Sequence, residues 1–116
     1  MEKEIFTNDS ECRKCLEPLQ RKFEGYLARN LSPRTVRKQT TIIGLFIDFL
    51  CFDCALKNLD EITVGMANSY FRRWYISKIG DATESELKTA IKKFFVFLDE
   101  EMGIRNEKVL CSFKRK

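Results

Sequence analysis

Residues 31–52 read LSPRTVRKQTTIIGLFIDFLCF, and this stretch decides the fold. Ser32-Pro33 is a helix start: the hydroxyl accepts from a backbone N–H of the first turn, and proline occupies a first helical position where no N–H is needed. No proline occurs after Pro33, so the pattern predicts one helix from Pro33 to Cys51 or Phe52, roughly 30 Å long. Its second half carries two apolar stripes, Ile43/Phe46/Ile47/Leu50 and Ile42/Leu45/Phe49/Phe52, at alternating spacings of three and four. A helix apolar on two sides must be covered on two sides. Its first half is polar instead, with Arg34, Arg37, Lys38, Gln39 and Thr41.

Outward from this beam the chain reads as further helices. Pro18 suits the start of a helix running to about Arg29, with Leu19, Phe23, Tyr26 and Leu27 on its buried side and Asn30 ending it. Thr63 caps a third helix through Met66, Tyr70, Phe71 and Trp74 to about Ile79, where Gly80-Asp81 breaks it. Thr83-Glu84-Ser85-Glu86 is a capping box opening a fourth helix, with Leu87, Ile91, Phe94 and Leu98 inward and Gly103 just past its end. No segment alternates with period two for long enough to be a strand. The expected architecture is all-α, a four-helix bundle over residues 16–105, with a charged lead at 1–15 and a basic linker or tail at 106–116.

The composition narrows the chemistry. At 116 residues the chain is about one domain long, with no room for a second catalytic lobe. The complete absence of histidine removes His-based general bases, His-containing triads and His metal ligands together. A net charge of +4 permits an anionic partner without demanding one. The charged N-terminus has no apolar signal-like run and no stretch is long enough to span a bilayer, so no membrane association is expected and the expected compartment is the reducing cytoplasm.

Three motifs occur in order: Leu31-Ser32-Pro33-Arg34-Thr35-Val36, then Phe46-Ile47-Asp48-Phe49-Leu50, then Leu59-Asp60-Glu61-Ile62-Thr63. Together with Lys92-Lys93-Phe94-Phe95-Val96-Phe97-Leu98 and the Gly103-Ile104-Arg105-Asn106 turn, they resemble the core-binding (SAM-like) domain of tyrosine recombinases, the phage integrase family. The likeness covers about Leu16 to Val109. Gly65 departs from the family's acidic position, no proline comes after Thr63, and the two cysteine pairs are outside the common pattern. The resemblance implies a domain that grips one face of a recombination-site duplex, while a separate C-terminal domain holds the chemistry. A chain with no histidine cannot contain that chemistry's His-x-x-Arg element, so no enzyme activity is expected, and Tyr26, Tyr70 and Tyr75 are expected at helical core or boundary positions rather than as nucleophiles. The resemblance further implies that the second and fourth helices face DNA.

The residues themselves fit an anion. Ser32, Arg34, Thr35, Arg37, Lys38 and Thr41 fall on the polar first turns of the second helix, where open N–H groups and the positive dipole end also favour phosphate. Ser85, Lys88 and Lys92 repeat the spacing on the fourth helix, with Thr89 beside them. Acidic residues gather elsewhere, at Glu2, Glu4, Asp9 and Glu11 and at Asp99, Glu100 and Glu101. The expected partner is double-stranded DNA, bound weakly by this domain alone, with other recombinase protomers as further partners. A solvated charged surface is the plainer reading of the same pattern. The rival function is a protein-interaction module whose apolar helix face, around Phe49, Phe52 or Phe95, docks a partner helix.

Two Cys-x-x-Cys pairs complete the inventory. A tight joint at Asn30 to Ser32 favours antiparallel neighbours, which brings Cys12 and Cys15 near Cys51 and Cys54. Either the four sulfurs converge on one structural zinc, or they are independent thiols. Cys111 stands apart as an exposed tail thiol.

Overall fold

The computed structural model describes residues 9–54, 56 and 61–114. The first eight residues of the lead, Leu59 and Asp60 of the third motif, and the last two residues of the tail lie outside the described residues. The chain is all-α: helices α1 (Asp9–Ala28), α2 (Pro33–Asp48), α3 (Phe71–Lys78), α4 (Glu84–Glu101) and α5 (Glu107–Lys114), with no strand among the described residues. Two π-helical segments, Phe49–Asp53 and Met66–Tyr70, continue α2 and precede α3. The chain divides into two compact units, Met1–Ile62 and Thr63–Lys116.

In the first unit α1 begins nine residues before the expected start, and Pro18 lies inside it. Cys12, Leu16, Leu19, Phe23 and Leu27 form a buried stripe at spacings of four and three along its whole length. Burying each such side chain contributes about 1.5–3 kcal/mol, which together exceeds the roughly 3 kcal/mol an internal proline costs. Proline therefore does not mark the start. Tyr26 is only half-buried, under the Arg29 guanidinium 5.5 Å from its ring centroid.

The beam itself begins as expected. Ser32 accepts from the Thr35 backbone N–H with Pro33 at the first position, and the helical course continues through the π segment to Asp53. There Cys54 N–H reaches back to the Phe49 carbonyl at 3.0 Å. The first apolar stripe, Ile43/Phe46/Ile47/Leu50, is fully buried. The second is covered at Ile42 and Phe49, half-covered at Leu45 and open at Phe52.

α1 and α2 run antiparallel, because partners rise in one as they fall in the other. Arg13 Nε meets Asp48 Oδ1 at 2.9 Å, and Gln20 Nε2 donates to the Thr40 carbonyl at 3.2 Å. Gly44 makes that second crossing close: a Cβ there would lie 2.6 Å from the Gln20 amide nitrogen.

In the second unit the Thr63 hydroxyl accepts from Met66 N–H. The π segment ends on Tyr70, 54% exposed, contrary to its expected core or boundary place, and α3 beyond it buries Phe71 and Tyr75. α3 ends at Gly80, whose φ of 75° is the left-handed conformation glycine adopts without strain. Just beyond, Asp81 accepts from the Tyr75 hydroxyl at 2.7 Å, and the Thr83/Glu86 capping box starts α4. Leu87, Ile91, Phe94 and Leu98 point inward as the spacing predicts. Gly103, φ 70°, lets Ile104 N–H turn back to the Leu98 carbonyl at 2.8 Å, closing the helix.

The stretch expected as a basic tail is instead a fifth helix. Asn106 Oδ1 accepts from Val109 N–H to start it, and Val109, Leu110 and Phe113 are buried. Arg105 fastens the corner, donating to Asp99 of α4 and to Glu107 of α5 at 2.7 Å each.

Candidate nucleic-acid interface

The start of α2 has the chemistry of an anion contact. Pro33 has no N–H to satisfy, and the Ser32 hydroxyl takes the Thr35 N–H at 3.3 Å. That leaves the Arg34 N–H as an open donor at this helix end among the described residues. Ser32 Oγ also lies 3.1 Å from Thr35 Oγ1, so two hydroxyls sit side by side at the helix mouth. Arg34, Arg37, Lys38 and Thr41 are all exposed, while Thr35 is half-buried.

No acidic residue occurs in α2 before Asp48, and that carboxylate is held by Arg13. Among the described residues no carboxylate pairs with Arg34 or Arg37, whereas Arg13, Arg21 and Arg72 each have one and Arg105 has two. These two cations thus stand at the positive end of a helix with no described carboxylate to offset them. This placement costs the fold about 0.3–1 kcal/mol for a cation in the first turn.

α4 carries the second set. Ser85, Lys88, Thr89 and Lys92 are exposed, opposite the buried Leu87, Ala90, Ile91, Phe94 and Leu98. Lys88 and Lys92 have no carboxylate partner among the described residues, and Glu84, one turn before Lys88, is engaged by Arg72 at 3.3 Å. Every residue expected to touch DNA is exposed except Thr35, which is half-buried. The α2 set belongs to the first unit and the α4 set to the second.

The cysteines meet only in part. Cys12 and Cys51 are both buried and hydrogen-bond through their thiols, as the antiparallel pairing requires. The four expected sulfurs do not gather, and among the described residues no three Cys, Asp or Glu side chains come within reach of one metal ion. That geometry favours the second alternative, independent thiols. α1 is unbroken through Cys12 and Cys15, so the second thiol lies a turn further along and is half-buried, while Cys54 caps the end of the π segment. Burial, then the Cys12 contact, pushes the Cys51 thiol well above its ordinary range; burial, then the nearby Asp53, raises Cys54. Neither is poised as a thiolate, and no disulfide joins any of the five cysteines.

One further cluster has no place in the expected DNA contacts. Arg72 and Arg73 line a shallow groove of about 430 Å³ on the second unit, with Ser69, Ile76, Ser77 and Glu84. The recurrence of Ser69, Arg73 and Ser77 every four residues is the signal in the sequence that could have found it. Among the described residues no helix is long and apolar enough to cross a membrane. Compared with known protein families, with curated proteins and with solved structures, the chain matches none.

Proposed function

We propose that this chain is a non-catalytic DNA-binding module of the tyrosine-recombinase core-binding type, working in the cytoplasm and serving DNA integration or recombination by holding a duplex for a catalytic domain. The observation that carries the reading is the mouth of α2, where Ser32, Thr35, the Arg34 N–H and the exposed Arg34, Arg37 and Lys38 converge with no acidic residue on the helix before Asp48. Phosphate contacts of this kind position a protein on DNA without reading its sequence. The exposed Lys88 and Lys92 of α4 supply further contacts, with Ser85 and Thr89 as hydroxyl donors. The ordered motifs around Ser32-Pro33, Phe46–Leu50 and Lys92–Leu98 support the recombinase assignment within that class.

The competing protein-docking reading needs an apolar face left open around Phe49, Phe52 or Phe95. Phe49 and Phe95 are buried, and Phe52 alone of the three is exposed, which favours the DNA reading.

The test is a titration of labelled duplex across salt. Affinity is expected in the micromolar range or poorer with little sequence preference. Its logarithm should fall with the logarithm of salt at about −0.9 per phosphate contact. Binding that stays constant from about 50 to 300 mM salt removes the electrostatic contact, and with it this assignment.

A further inference from the structure

The outward side of α3 and of the π segment before it concentrates donors and an exposed aromatic ring that duplex phosphate contacts do not use. Arg72 is held in place, with Nε donating to the Asn68 carbonyl at 3.4 Å and Nη1 to Glu84 at 3.3 Å. Arg73 is exposed, has no carboxylate partner among the described residues, and lays its guanidinium 6.0 Å from the centroid of the Tyr70 ring. Ser69 and Ser77 flank Arg73 one turn away on either side, and these two serines line the same groove as the two arginines. The Tyr70 ring is seated by a glycine: a Cβ on Gly65 would lie 2.9 Å from Tyr70 Cε2, so the ring rests where any other residue would crowd it. Ile76, 47% exposed, adds apolar surface to the groove.

We propose that this groove and the Tyr70 ring beside it together hold one nucleotide of an unpaired nucleic-acid strand, with the phosphate in the groove between Arg72 and Arg73 and the base laid on Tyr70. The inference deepens the nucleic-acid reading above and rests on it. Paired guanidiniums and hydroxyls one turn apart match a phosphodiester, which arginine binds through two N–H groups at once. An open tyrosine ring beside them has a use only for a base that has left its own stack, because duplex bases present no free face. The Glu84 carboxylate stands against an anion, yet it is largely exposed, and a surface ion pair of this kind exchanges readily. Arg73 then swings from the ring to the phosphate, freeing the aromatic face for the base.

The experiment is fluorescence anisotropy on the full chain with three probes: a blunt duplex, the same duplex with an unpaired thymidine overhang, and a free thymidine oligonucleotide. The overhang is expected to tighten wild-type binding by roughly tenfold, the scale of one stacked base. Tyr70→Leu and Arg73→Gln should erase that gain while leaving blunt-duplex affinity unchanged. Gly65→Ala, which displaces the ring without removing it, should reduce the gain in part. Arg34→Gln with Arg37→Gln should do the reverse, weakening the blunt duplex and keeping the gain. Thermal melts of the Tyr70 and Arg73 variants should match wild type, since both side chains are exposed.

Free-strand binding that depends on Tyr70 and Arg73, in a chain that ignores blunt duplex, would sustain this site and remove the duplex reading. An overhang gain that is absent, or that survives both substitutions, overturns the site. So does self-association in sedimentation that Tyr70→Leu abolishes with no effect of any strand, which would assign the groove to a protein.

Discussion

Arg34→Gln combined with Arg37→Gln should make the protein more stable and the proposed DNA complex weaker. Arg34 is the second residue of α2, at the positive end of the helix, and Arg37 lies one turn further in; both are exposed and neither has a carboxylate partner among the described residues. Removing a cation from the first turn relieves about 0.3–1 kcal/mol of dipole repulsion, with Arg37 contributing little because the effect fades beyond that turn. On a domain of this length such a gain raises the melting temperature by about 1–4 °C. Binding moves the other way. At about 0.1 M salt each phosphate contact contributes roughly eightfold relative to 1 M, so losing two costs about 60-fold and lowers the log-log salt slope by about 1.8. Differential scanning fluorimetry and anisotropy on the same preparation measure both. An ordinary structural role would lower stability and affinity together. A melting temperature that falls, or a salt slope that does not change, would refute the assignment of these cations to an external anion.

The packing sets three further outcomes. Deleting residues 107–116 removes the buried Val109, Leu110 and Phe113, worth about 1.5–3 kcal/mol each, so cooperative melting should be lost or lowered by tens of degrees; a truncated chain melting within a few degrees of wild type would return this segment to the status of a tail. Burial and the Asp81 hydrogen bond hold the Tyr75 hydroxyl above its ordinary range, and burial does the same for the Cys51 and Cys54 thiols. Because these folded-state values are raised, the stability is fully present below the unfolded values and lost as pH climbs; urea midpoints should hold to about pH 8.5 and fall steadily toward about pH 11, with Tyr75→Phe blunting the upper part. Alkylation of the native protein should label the exposed Cys111 first and reach the buried Cys12 and Cys51 only in denaturant, and early labelling of Cys51 in a peptide map would contradict its burial.

The features legible in the sequence were mostly local. Ser32-Pro33, the Thr83/Glu86 box, Gly80 and Gly103 each act within one turn of themselves, so their residue types suffice to place helix ends. Pro18 misled because its effect is also local, while the burial of Cys12, Leu16 and Leu19 that overrides it depends on α2 lying alongside. α5 was hidden for a related reason. Lysine and arginine dominate the sequence at the end of the chain, and the Asn106 cap is followed by only three buried apolar residues, Val109, Leu110 and Phe113. Tyr70, the last residue of the π segment, came out exposed although the three-and-four spacing groups it with Met66 and Trp74, while its neighbour Phe71 is buried as expected. The cationic faces were readable, since exposure tracks the three-and-four spacing directly. The cysteine geometry was half readable: antiparallel pairing determines which ends meet, but not which way Cys15 and Cys54 turn.

Two helix ends that set charge against their own dipoles are treated differently. α4 finishes on Asp99, Glu100 and Glu101 at its negative end, an arrangement that is unfavourable alone. The chain answers it: Arg105 reaches Asp99 at 2.7 Å and extends to Glu107, which itself sits at the positive start of α5 where a carboxylate is favoured. α2 begins with the opposite fault, cations at its positive end, and no carboxylate among the described residues comes to Arg34 or Arg37. Random surface charge gives no reason for one end to be neutralised and the other left bare beside an open N–H and two adjacent hydroxyls. An external polyanion does give one, because the same cations, dipole and donors that work against folding at this end all act together once a phosphate is in place.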